Sequence, residues 1–249
     1  MAGMPETHAS SDGGRPDLSR LFVVLDFDGT ITQTDCNEVV LRRHTGTAWY
    51  VFEQAARRRE ISHAECLQRQ IRLLHIPRRQ VLREFAAAAV LRLGFAGFLR
   101  WLVPGGGRAA VISVGFREGI EEVWRREALP PVDLFASELR GGPGERFEVV
   151  LHPAYGACST CGPGACKAGV LEARRLPDDV VVVFGDGISD LCLARPADVV
   201  FARAHLAQLC QEEGISWHSL DTFSDAHAVL AALASAGRFA GRPSERRRR

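Results

Sequence analysis

The sequence lacks the long apolar runs and the one-sided charge that mark several classes of protein. Nowhere in its 249 residues does an apolar run approach the roughly 18 residues that a membrane-spanning helix needs. Its 31 basic and 30 acidic residues leave a formal net charge of +1, so no overall field attracts nucleic acid or an anionic membrane. The first twenty residues contain no apolar segment typical of a secretory signal. We therefore expect neither a membrane protein, nor a nucleic-acid-binding protein, nor a secreted one.

The cysteines do not indicate a disulfide framework. There are seven, an odd number, and a chain that is 46% hydrophobic can bury a sizeable core without covalent cross-links. We accordingly expect reduced thiols and a cytoplasmic location. The length fits one domain with a large insertion, or a core with a small second domain.

Lysine is almost missing from the sequence. Of the 31 lysines and arginines, Lys167 is the only lysine. Such a bias is typical of a genome's nucleotide composition, and chance survival at an exposed site is one explanation of the exception. The other explanation is that Lys167 has a role that arginine cannot fill, because an ammonium is a compact point charge and a guanidinium is a planar fork.

Short continuous apolar runs recur along the chain and predict strands that are buried on both faces. They are Leu21–Phe27, Ala109–Val114, Val180–Phe184 and, more weakly, Asp198–Phe201. Each run is followed by a turn or loop and then by a helical pattern, which predicts an α/β fold with a doubly wound parallel sheet. Residues 133–152 predict a β-hairpin-like excursion.

The stretch between the first two apolar runs is helical in character. Ser62 is a good N-cap, and Leu67, Ile71 and Leu74 then recur at helical spacing. A long helical segment between two core strands predicts a cap that lies outside the sheet. We predict a disordered leader over residues 1–19, a core over 20–36 and 103–236, a helical cap over 37–102 and a disordered basic tail over 237–249.

Acidic pairs follow two of the predicted strands. Asp26 and Asp28 stand two residues apart at the end of the first strand, where Gly29 allows a sharp turn. Asp186 and Asp190, four residues apart, follow the third strand. Because ligand sites in such sheets lie at the carboxyl ends of the strands, we expect the four carboxylates in one site, which would suit Mg²⁺. The alternative is an Asp-Gly turn with incidental acids.

Two further features suit a phosphate site. Ser113 ends the second strand and is followed by Val114 and Gly115, and a hydroxyl beside turning backbone N–H groups can bind an anion. Lys167 supplies a cation. A carboxylate nucleophile, a carboxylate for proton transfer, a metal, a hydroxyl and an ammonium together favour phosphoryl transfer.

As a set, these motifs resemble those of the haloacid-dehalogenase superfamily of phosphatases. The motifs are Asp26-Phe27-Asp28-Gly29-Thr30, Ser113 after an apolar strand, Lys167, and Gly185-Asp186-Gly187 followed by Asp190. The resemblance covers roughly residues 20–235, and the helical insertion is similar to that of the phosphoserine-phosphatase-like branch.

Within that branch, the cysteine-bearing segment 158–167 is similar to that of two groups. These are the methionine-salvage 2-hydroxy-3-keto-5-methylthiopentenyl-1-phosphate phosphatases and the phosphoethanolamine/phosphocholine phosphatases. Residues 26–32 and 201–210 resemble the methionine-salvage group more closely. One departure is Val114, which stands where these enzymes commonly have glycine and restricts the backbone of the phosphate loop.

The resemblance implies roles for the acidic residues. Asp26 would attack phosphorus and form an aspartyl-phosphate, and Asp28 would protonate the leaving oxygen and then deprotonate water. The Asp26 carboxylate, the Asp28 carbonyl oxygen and Asp186 would hold Mg²⁺. Asp190 would orient Lys167 or a metal-bound water.

The resemblance also implies the phosphate contacts and the reaction. The Ser113–Gly115 segment and Lys167 would hold the phosphoryl oxygens. We therefore expect a Mg²⁺-dependent phosphomonoesterase, a monomer or homodimer, with the methionine-salvage enol-phosphate as its first substrate. Phosphoserine, phosphoethanolamine and phosphocholine are alternative substrates. A catalytically idle phosphate-binding protein on the same fold is the alternative of another class.

Three groups of residues have two interpretations each. His152, Cys158, Cys161 and Cys166 are candidate zinc ligands, but their spacing is unusual for zinc and favours free thiols. The start of the cap carries residues that either contact substrate or are surface charges: Asp35, Asn37, Glu38, Arg42 and Arg43. Aromatic residues of the cap either line its pocket or pack in the core: Trp49, Tyr50 and Phe52.

Overall fold

The computed structural model describes residues 17–142 and 144–239. Residues 1–16 of the predicted leader and 240–249 of the predicted tail lie outside this range. The strands are β1 (Leu21–Leu25), β2 (Arg108–Phe116), β3 (Asp133–Gly142), β4 (Glu145–Val150), β5 (Gly156–Cys158), β6 (Gly162–Cys166), β7 (Val180–Gly185), β8 (Val199–Ala202) and β9 (His218–Ser219). The helices are α1 (Cys36–Thr45), α2 (Tyr50–Arg57), α3 (His63–Ile71), α4 (Arg78–Ala88), α5 (Phe95–Leu102), α6 (Arg117–Arg126), α7 (Ala168–Arg174), α8 (Leu191–Ala194), α9 (Ala204–Glu213) and α10 (Phe223–Ser235).

The main sheet has seven strands in the order β4-β3-β2-β1-β7-β8-β9. Every neighbouring pair is parallel except β3 and β4, which form the hairpin expected within residues 133–152. Strands β5 and β6 form a separate antiparallel pair. The predicted α/β fold with a doubly wound, mostly parallel sheet is confirmed, and all four apolar runs form strands of it.

The sheet is buried on both faces, as its continuous apolar strands predict. On β1, Leu21, Val23 and Leu25 pack into the core on one face. The alternating residues Phe22 and Val24 pack into a second core on the other face. A strand enclosed in this way holds the residue that follows it, Asp26, in a fixed position at the edge of the sheet.

Five helices, α1 to α5, lie between β1 and β2 in the chain. Ser62 begins α3 as predicted, because its hydroxyl accepts a hydrogen bond from the Glu65 N–H at 3.2 Å. Helix α5 packs on the sheet, where the Phe98 ring lies 5.5 Å from the ring of Phe184 in β7. The division of the chain into a core and a cap with the stated boundaries stays a prediction. Within the described range, no helix is both long and apolar enough to cross a membrane.

Candidate active site

The site lies at the carboxyl ends of three adjacent strands, β2, β1 and β7. Asp26 follows β1, Ser113 lies near the end of β2, and Asp186 follows β7. A sharp turn after β1 brings the acidic pairs together: Gly29 has a φ of +71°, and a side chain there would overlap the Asp186 carboxylate. The sheet therefore brings together the motifs that the sequence places far apart.

Lys167 is the cation at the centre of the site. Its fully buried ammonium donates to Oδ1 of Asp26 at 2.5 Å and to Oδ1 of Asp190 at 2.7 Å. Burial lowers the pKa of Lys167, but the charges of Asp190 and Asp26 outweigh that effect and raise its pKa above the ordinary value. Lys167 is therefore a protonated ammonium and does not lie at an exposed position.

Asp190 uses both of its carboxylate oxygens within the protein. While Oδ1 accepts from Lys167, Oδ2 accepts from the backbone N–H groups of Asp186 at 3.1 Å and Gly187 at 3.2 Å. These bonds shape the turn after β7 and orient Lys167 at the same time. This geometry favours the first of the two roles that the sequence left open for Asp190.

Carboxylate oxygens of Asp26, Asp186 and Asp190 all lie within 4.8 Å of one another. Burial, together with repulsion between the carboxylates, raises the pKa of Asp26 to about 7 and that of Asp186 to about 8. Three acids share one ammonium here, so an additional cation would stabilise their charged forms. Hard oxygen donors in this arrangement fit a divalent ion such as Mg²⁺.

The Asp28 side chain points away from that cluster. Its Oδ1 accepts a hydrogen bond from the Cys36 N–H at 2.9 Å, whereas its Oδ2 is buried without a hydrogen-bond partner. Burial, followed by the charges of Asp35 and Asp26, raises the pKa of Asp28 well above its ordinary value. A carboxyl group with one anchored and one unpartnered oxygen and a raised pKa is suited to donate a proton and take it back.

The Ser113–Gly115 segment forms a small cradle beside Asp28. The Ser113 hydroxyl accepts from the Gly115 N–H at 3.0 Å. A Cβ on Gly115 would lie 2.6 Å from Oδ2 of Asp28 and 3.1 Å from Oγ of Ser113, so glycine is what allows the segment to approach Asp28 this closely. Val114 lies within β2 and contacts the hydrophobic cores on the two sides of the sheet. Its φ is not positive. The strand at this position therefore does not depend on glycine.

Several groups around the site were not predicted from the sequence. The buried Arg92 donates to the carbonyl oxygens of Gly29 at 2.7 Å and Thr30 at 2.8 Å, and Arg203 donates to that of Gly29 at 2.7 Å. The Tyr155 hydroxyl lies 2.7 Å from the carbonyl oxygen of Ser113. These contacts fix the two turns that carry the acidic pair and the phosphate cradle.

His63 at the start of α3 was also missed. Burial lowers its pKa, and the charge of Lys167 lowers it further, which places a neutral imidazole near the ammonium. The sequence contains little indication of the site contacts of Arg92, Arg203 and His63, because arginine is common in this chain and His63 belongs to no motif.

The start of α1 forms one wall of a groove of about 590 Å³, lined by Thr34, Asp35, Glu38, Val39, Arg42 and Arg43. Asp35 also caps the helix, because its Oδ1 accepts from the Glu38 N–H at 2.9 Å. Arg42 pairs with Glu38, and Arg43 pairs with Glu84. The groove contains four of the five predicted cap residues, whereas Asn37 is buried outside its lining.

The aromatic residues of the cap divide between the two interpretations. Trp49 is buried in the core, and its ring lies 5.5 Å from that of Tyr50, which is exposed. Phe52 is half-buried under the guanidinium of Arg69. The groove lining contains none of the three.

The candidate zinc ligands do not assemble as the sequence proposed them. Cys158, Cys161 and Cys166 come together, but the fourth member of their cluster is Cys192. His152 instead packs edge-on against the Phe135 ring at 5.2 Å, and its Nδ1 accepts from the Ala154 N–H at 3.1 Å.

Comparison with known proteins finds similarity over most of the chain. A model of the haloacid dehalogenase-like hydrolase family matches residues 23–195. A 2-hydroxy-3-keto-5-methylthiopentenyl-1-phosphate phosphatase of Exiguobacterium sp. is 30% identical over 209 residues, covering 84% of this chain and 96% of that protein. The phosphatase of the same name from Brevibacillus brevis is 28% identical over 212 residues, covering 85% and 95% respectively.

Solved structures show the same fold at lower sequence identity. A phospho-aspartyl intermediate analogue of phosphoserine phosphatase superposes with a TM-score of 0.63 at 18% identity, covering 86% of this chain and 99% of that one. A substrate-bound phosphoserine phosphatase complex gives a TM-score of 0.63 at 17% identity, covering 84% and 98%. At this identity, the likeness extends to the fold alone.

Proposed function

The chain belongs to the haloacid dehalogenase-like hydrolases and is a phosphatase, and from this premise we propose that it cleaves a small phosphate monoester through a phosphorylated Asp26. The observation that carries the proposal is the contact of the Lys167 ammonium with Asp26, 2.5 Å from Oδ1, at the carboxyl end of β1. This contact orients the Asp26 carboxylate. The ammonium also offsets the repulsion between that carboxylate and the negative charge of an approaching phosphate.

We assign the two half-reactions to the first acidic pair. In the first, an oxygen of Asp26 forms a bond to phosphorus as the ester oxygen leaves, and Asp28 gives that oxygen a proton. In the second, water attacks phosphorus while Asp28 takes a proton from it, and the Asp26 carboxylate leaves. The buried, unpartnered Oδ2 of Asp28 supports this assignment, since a proton acceptor and donor must have a free oxygen.

Divalent-metal dependence is the second part of the proposal. The Asp26 and Asp186 carboxylates and the Asp28 carbonyl oxygen would hold Mg²⁺, while Asp190 stays bonded to Lys167. When bound, the ion would supply positive charge to the phosphoryl oxygens and to the acid cluster. The protein's own part is to orient the carboxylates.

Phosphate recognition falls to Lys167 and to the segment from Ser113 to Gly115. The segment places a hydroxyl and turning backbone close against Asp28, where a side chain on Gly115 would collide with that carboxylate. A phosphoryl group bound by this segment would therefore lie beside the proposed acid, Asp28.

For the substrate we propose the methionine-salvage enol-phosphate, 2-hydroxy-3-keto-5-methylthiopentenyl-1-phosphate. The name shared by relatives that match more than four-fifths of this chain supports this choice. Phosphoserine is a second candidate, because the groove beside the site carries both carboxylates and guanidinium groups, which suit a zwitterion. Phosphoethanolamine and phosphocholine remain alternatives with a cationic group. The reduced thiols expected of a cytoplasmic enzyme fit the free cysteines of the described chain.

A panel of phosphate esters tests the proposal. Phosphate release is measured with Mg²⁺ for the enol-phosphate, phosphoserine, phosphoethanolamine and phosphocholine, with Asp26→Asn as the matched control. We expect the highest kcat/KM for the enol-phosphate and no turnover by the control. A higher kcat/KM for phosphoserine would make phosphoserine the preferred substrate instead. Turnover by Asp26→Asn would overturn the assignment of Asp26 as the nucleophile. Ester binding without release by the unaltered protein would favour the idle phosphate-binding alternative.

A further inference from the structure

A cluster of four cysteine side chains lies beside the active site and has no part in the proposed hydrolysis. Cys158, Cys161 and Cys166 come from the β5–β6 hairpin, and Cys192 comes from α8. Their four Sγ atoms all lie within 4.8 Å of one another. We propose that these four thiols bind one Zn²⁺ ion, which ties the hairpin to α8.

The distances fit a tetrahedral thiolate site. A Zn–S bond of about 2.3 Å in tetrahedral geometry places the sulfur atoms roughly 3.8 Å apart. Sγ of Cys192 lies 3.5 Å from Sγ of Cys158 and 3.8 Å from Sγ of Cys161. Four sulfur ligands select a soft, tetrahedral ion, so zinc fits this cluster, whereas the oxygen ligands nearby fit magnesium.

Two donors that contact the cluster would favour its thiolate forms. The Cys161 N–H donates to Sγ of Cys158 at 3.2 Å, and the Arg195 guanidinium lies 3.8 Å from Sγ of Cys192. A backbone donor and a positive charge at these positions offset the negative charge of a four-thiolate zinc site. The hairpin turns back through Gly162 and Gly164, which have φ values of +89° and +67° and bring Cys166 to the other thiols.

Burial makes the site closed and structural. Cys161, Cys166 and Cys192 are buried, and Cys158 is half-buried at the surface, where an ion can enter. No position is left for water, which is typical of structural rather than catalytic zinc. Binding releases the thiol protons to solvent and changes no oxidation state.

The site would position two groups of the catalytic centre. Cys166 precedes Lys167 directly, and Cys192 follows Asp190 by two residues. Lys167 and Asp190 make the 2.7 Å contact described above. The ion would therefore hold together the two chain segments that carry these two residues. The four cysteines are positioning residues in this proposal, and the zinc site stands whether or not the substrate proposal holds.

Metal analysis tests the proposal directly. The full-length protein is purified without chelator, desalted, and analysed for zinc and iron by mass spectrometry. We expect about one zinc per chain in the unaltered protein. The Cys158→Ser/Cys161→Ser double variant should lose it, whereas Cys210→Ala, which removes a buried cysteine outside the cluster, should keep it. Replacement of zinc by Co²⁺ should give the intense visible absorption of a tetrahedral cobalt–thiolate centre.

A further variant separates the two metal sites. Asp186→Asn alters the carboxylate cluster only, so it should retain the zinc. Zinc lost by Asp186→Asn but kept by the cysteine variant would assign the ion to the carboxylates and overturn the proposal. Iron in place of zinc, a disulfide found by intact mass, or four zinc-free reactive thiols would also overturn it. If the cysteine variant fails to fold, the zinc content and the cobalt spectrum of the unaltered sequence still decide the question.

Discussion

The Lys167 ammonium lies 2.5 Å from Oδ1 of Asp26 and is shared with Asp190 at 2.7 Å, so one buried cation bridges the ends of β1 and β7. A single lysine in an arginine-rich chain therefore occupies a position where a compact charge is needed. Removing this charge would leave two buried carboxylates without a cationic partner.

Lys167→Arg should lower kcat by at least about tenfold, or roughly 1.4 kcal/mol of transition-state stabilisation. The positive charge is kept, but a planar guanidinium cannot take the place of a fully buried ammonium between two carboxylates without moving them. Steady-state kinetics with excess Mg²⁺ measure the effect, with circular dichroism as a check of folding. Activity near that of the unaltered enzyme would make the lysine a chance survivor of the arginine bias.

Gly115→Ala should reduce kcat/KM by about tenfold or more, because the added methyl group would lie 2.6 Å from Oδ2 of Asp28 and displace either that carboxylate or the proposed phosphate-binding segment. Gly97→Ala is the matched control, since a Cβ there meets no atom within 4 Å in helix α5. We expect the control to keep full activity. Equal activity of the two variants would show that the phosphate does not bind at Gly115.

The strands and the acidic motifs could be predicted from the sequence, whereas the residues that support them could not. Buried parallel strands are continuous apolar runs, so β1 and β7 could be found within a residue or two. The acidic pairs follow those strands, and the parallel sheet brings the carboxylates of Asp26, Asp186 and Asp190 together, whereas that of Asp28 lies outside this cluster. Their supporting contacts join residues distant in sequence: Arg203 reaches the Gly29 carbonyl across 174 positions. Arg203 lies in the segment 201–210 that resembles the methionine-salvage group, but no local pattern predicted its contact with Gly29.

The cysteine cluster illustrates the same limit. The local spacing grouped Cys158, Cys161 and Cys166 correctly, but it added His152 because that residue is near in sequence. Cys192 joins the cluster through the packing of α8 beside the hairpin, which only the tertiary fold determines. The helical segment gave a similar result: the sequence left Asp35 as either a substrate contact or a surface charge, and the structure shows in addition that it caps α1.

Substrate preference should depend on the groove at the start of α1. Asp35→Ser keeps an N-cap and removes the charge, whereas Asp35→Ala also removes a cap that contributes about 1 kcal/mol. We expect Asp35→Ser to change the ratio of kcat/KM between the enol-phosphate and phosphoserine more than it changes kcat for the better ester. Parallel kinetics on both esters measure this ratio. Equal losses on both would exclude Asp35 from substrate selection.

Stability at low pH should depend on Glu84, which joins α4 to α1 through Arg43 and His44. Burial raises the pKa of Glu84, but hydrogen bonds from Gln80, His44 and Arg43 outweigh it and lower the pKa from 4.5 to about 2. A folded-state pKa below the unfolded value stabilises the fold above pH 4.5, and this contribution is lost as the pH falls toward 2.

Glu84→Gln should therefore lower the free energy of unfolding by about 1 kcal/mol near neutral pH, with a difference that shrinks as the pH falls below about 4. Urea denaturation at a series of pH values measures the difference. Glu65→Gln is the control, because its carboxylate pairs with Arg69 on the exposed face of one helix. A gap between Glu84→Gln and the unaltered protein that stays constant with pH would contradict the linkage.

Asp28→Asn should separate the two half-reactions. The amide oxygen can still accept from the Cys36 N–H, which holds the Asp28 side chain at 2.9 Å, so the geometry is kept while the proton is lost. With an alkyl phosphate both steps should slow by roughly 10²–10⁴, the usual contribution of general acid–base catalysis. With p-nitrophenyl phosphate the leaving group needs no proton, so the first step should suffer less. Hydrolysis of the phosphorylated enzyme still needs a base, and the intermediate should accumulate.

Intact mass after a rapid quench detects that intermediate as one added phosphoryl group. Asp28→Asn should show the adduct on a peptide containing Asp26, and Asp26→Asn should show none, because an amide is a poor nucleophile toward phosphorus. The buried ammonium beside Asp26 is expected to stabilise the phosphorylated state as well as the free carboxylate, which favours its capture. An adduct on any other residue, or continued turnover by Asp26→Asn, would exclude Asp26 as the nucleophile and would return Lys167 to a purely structural role.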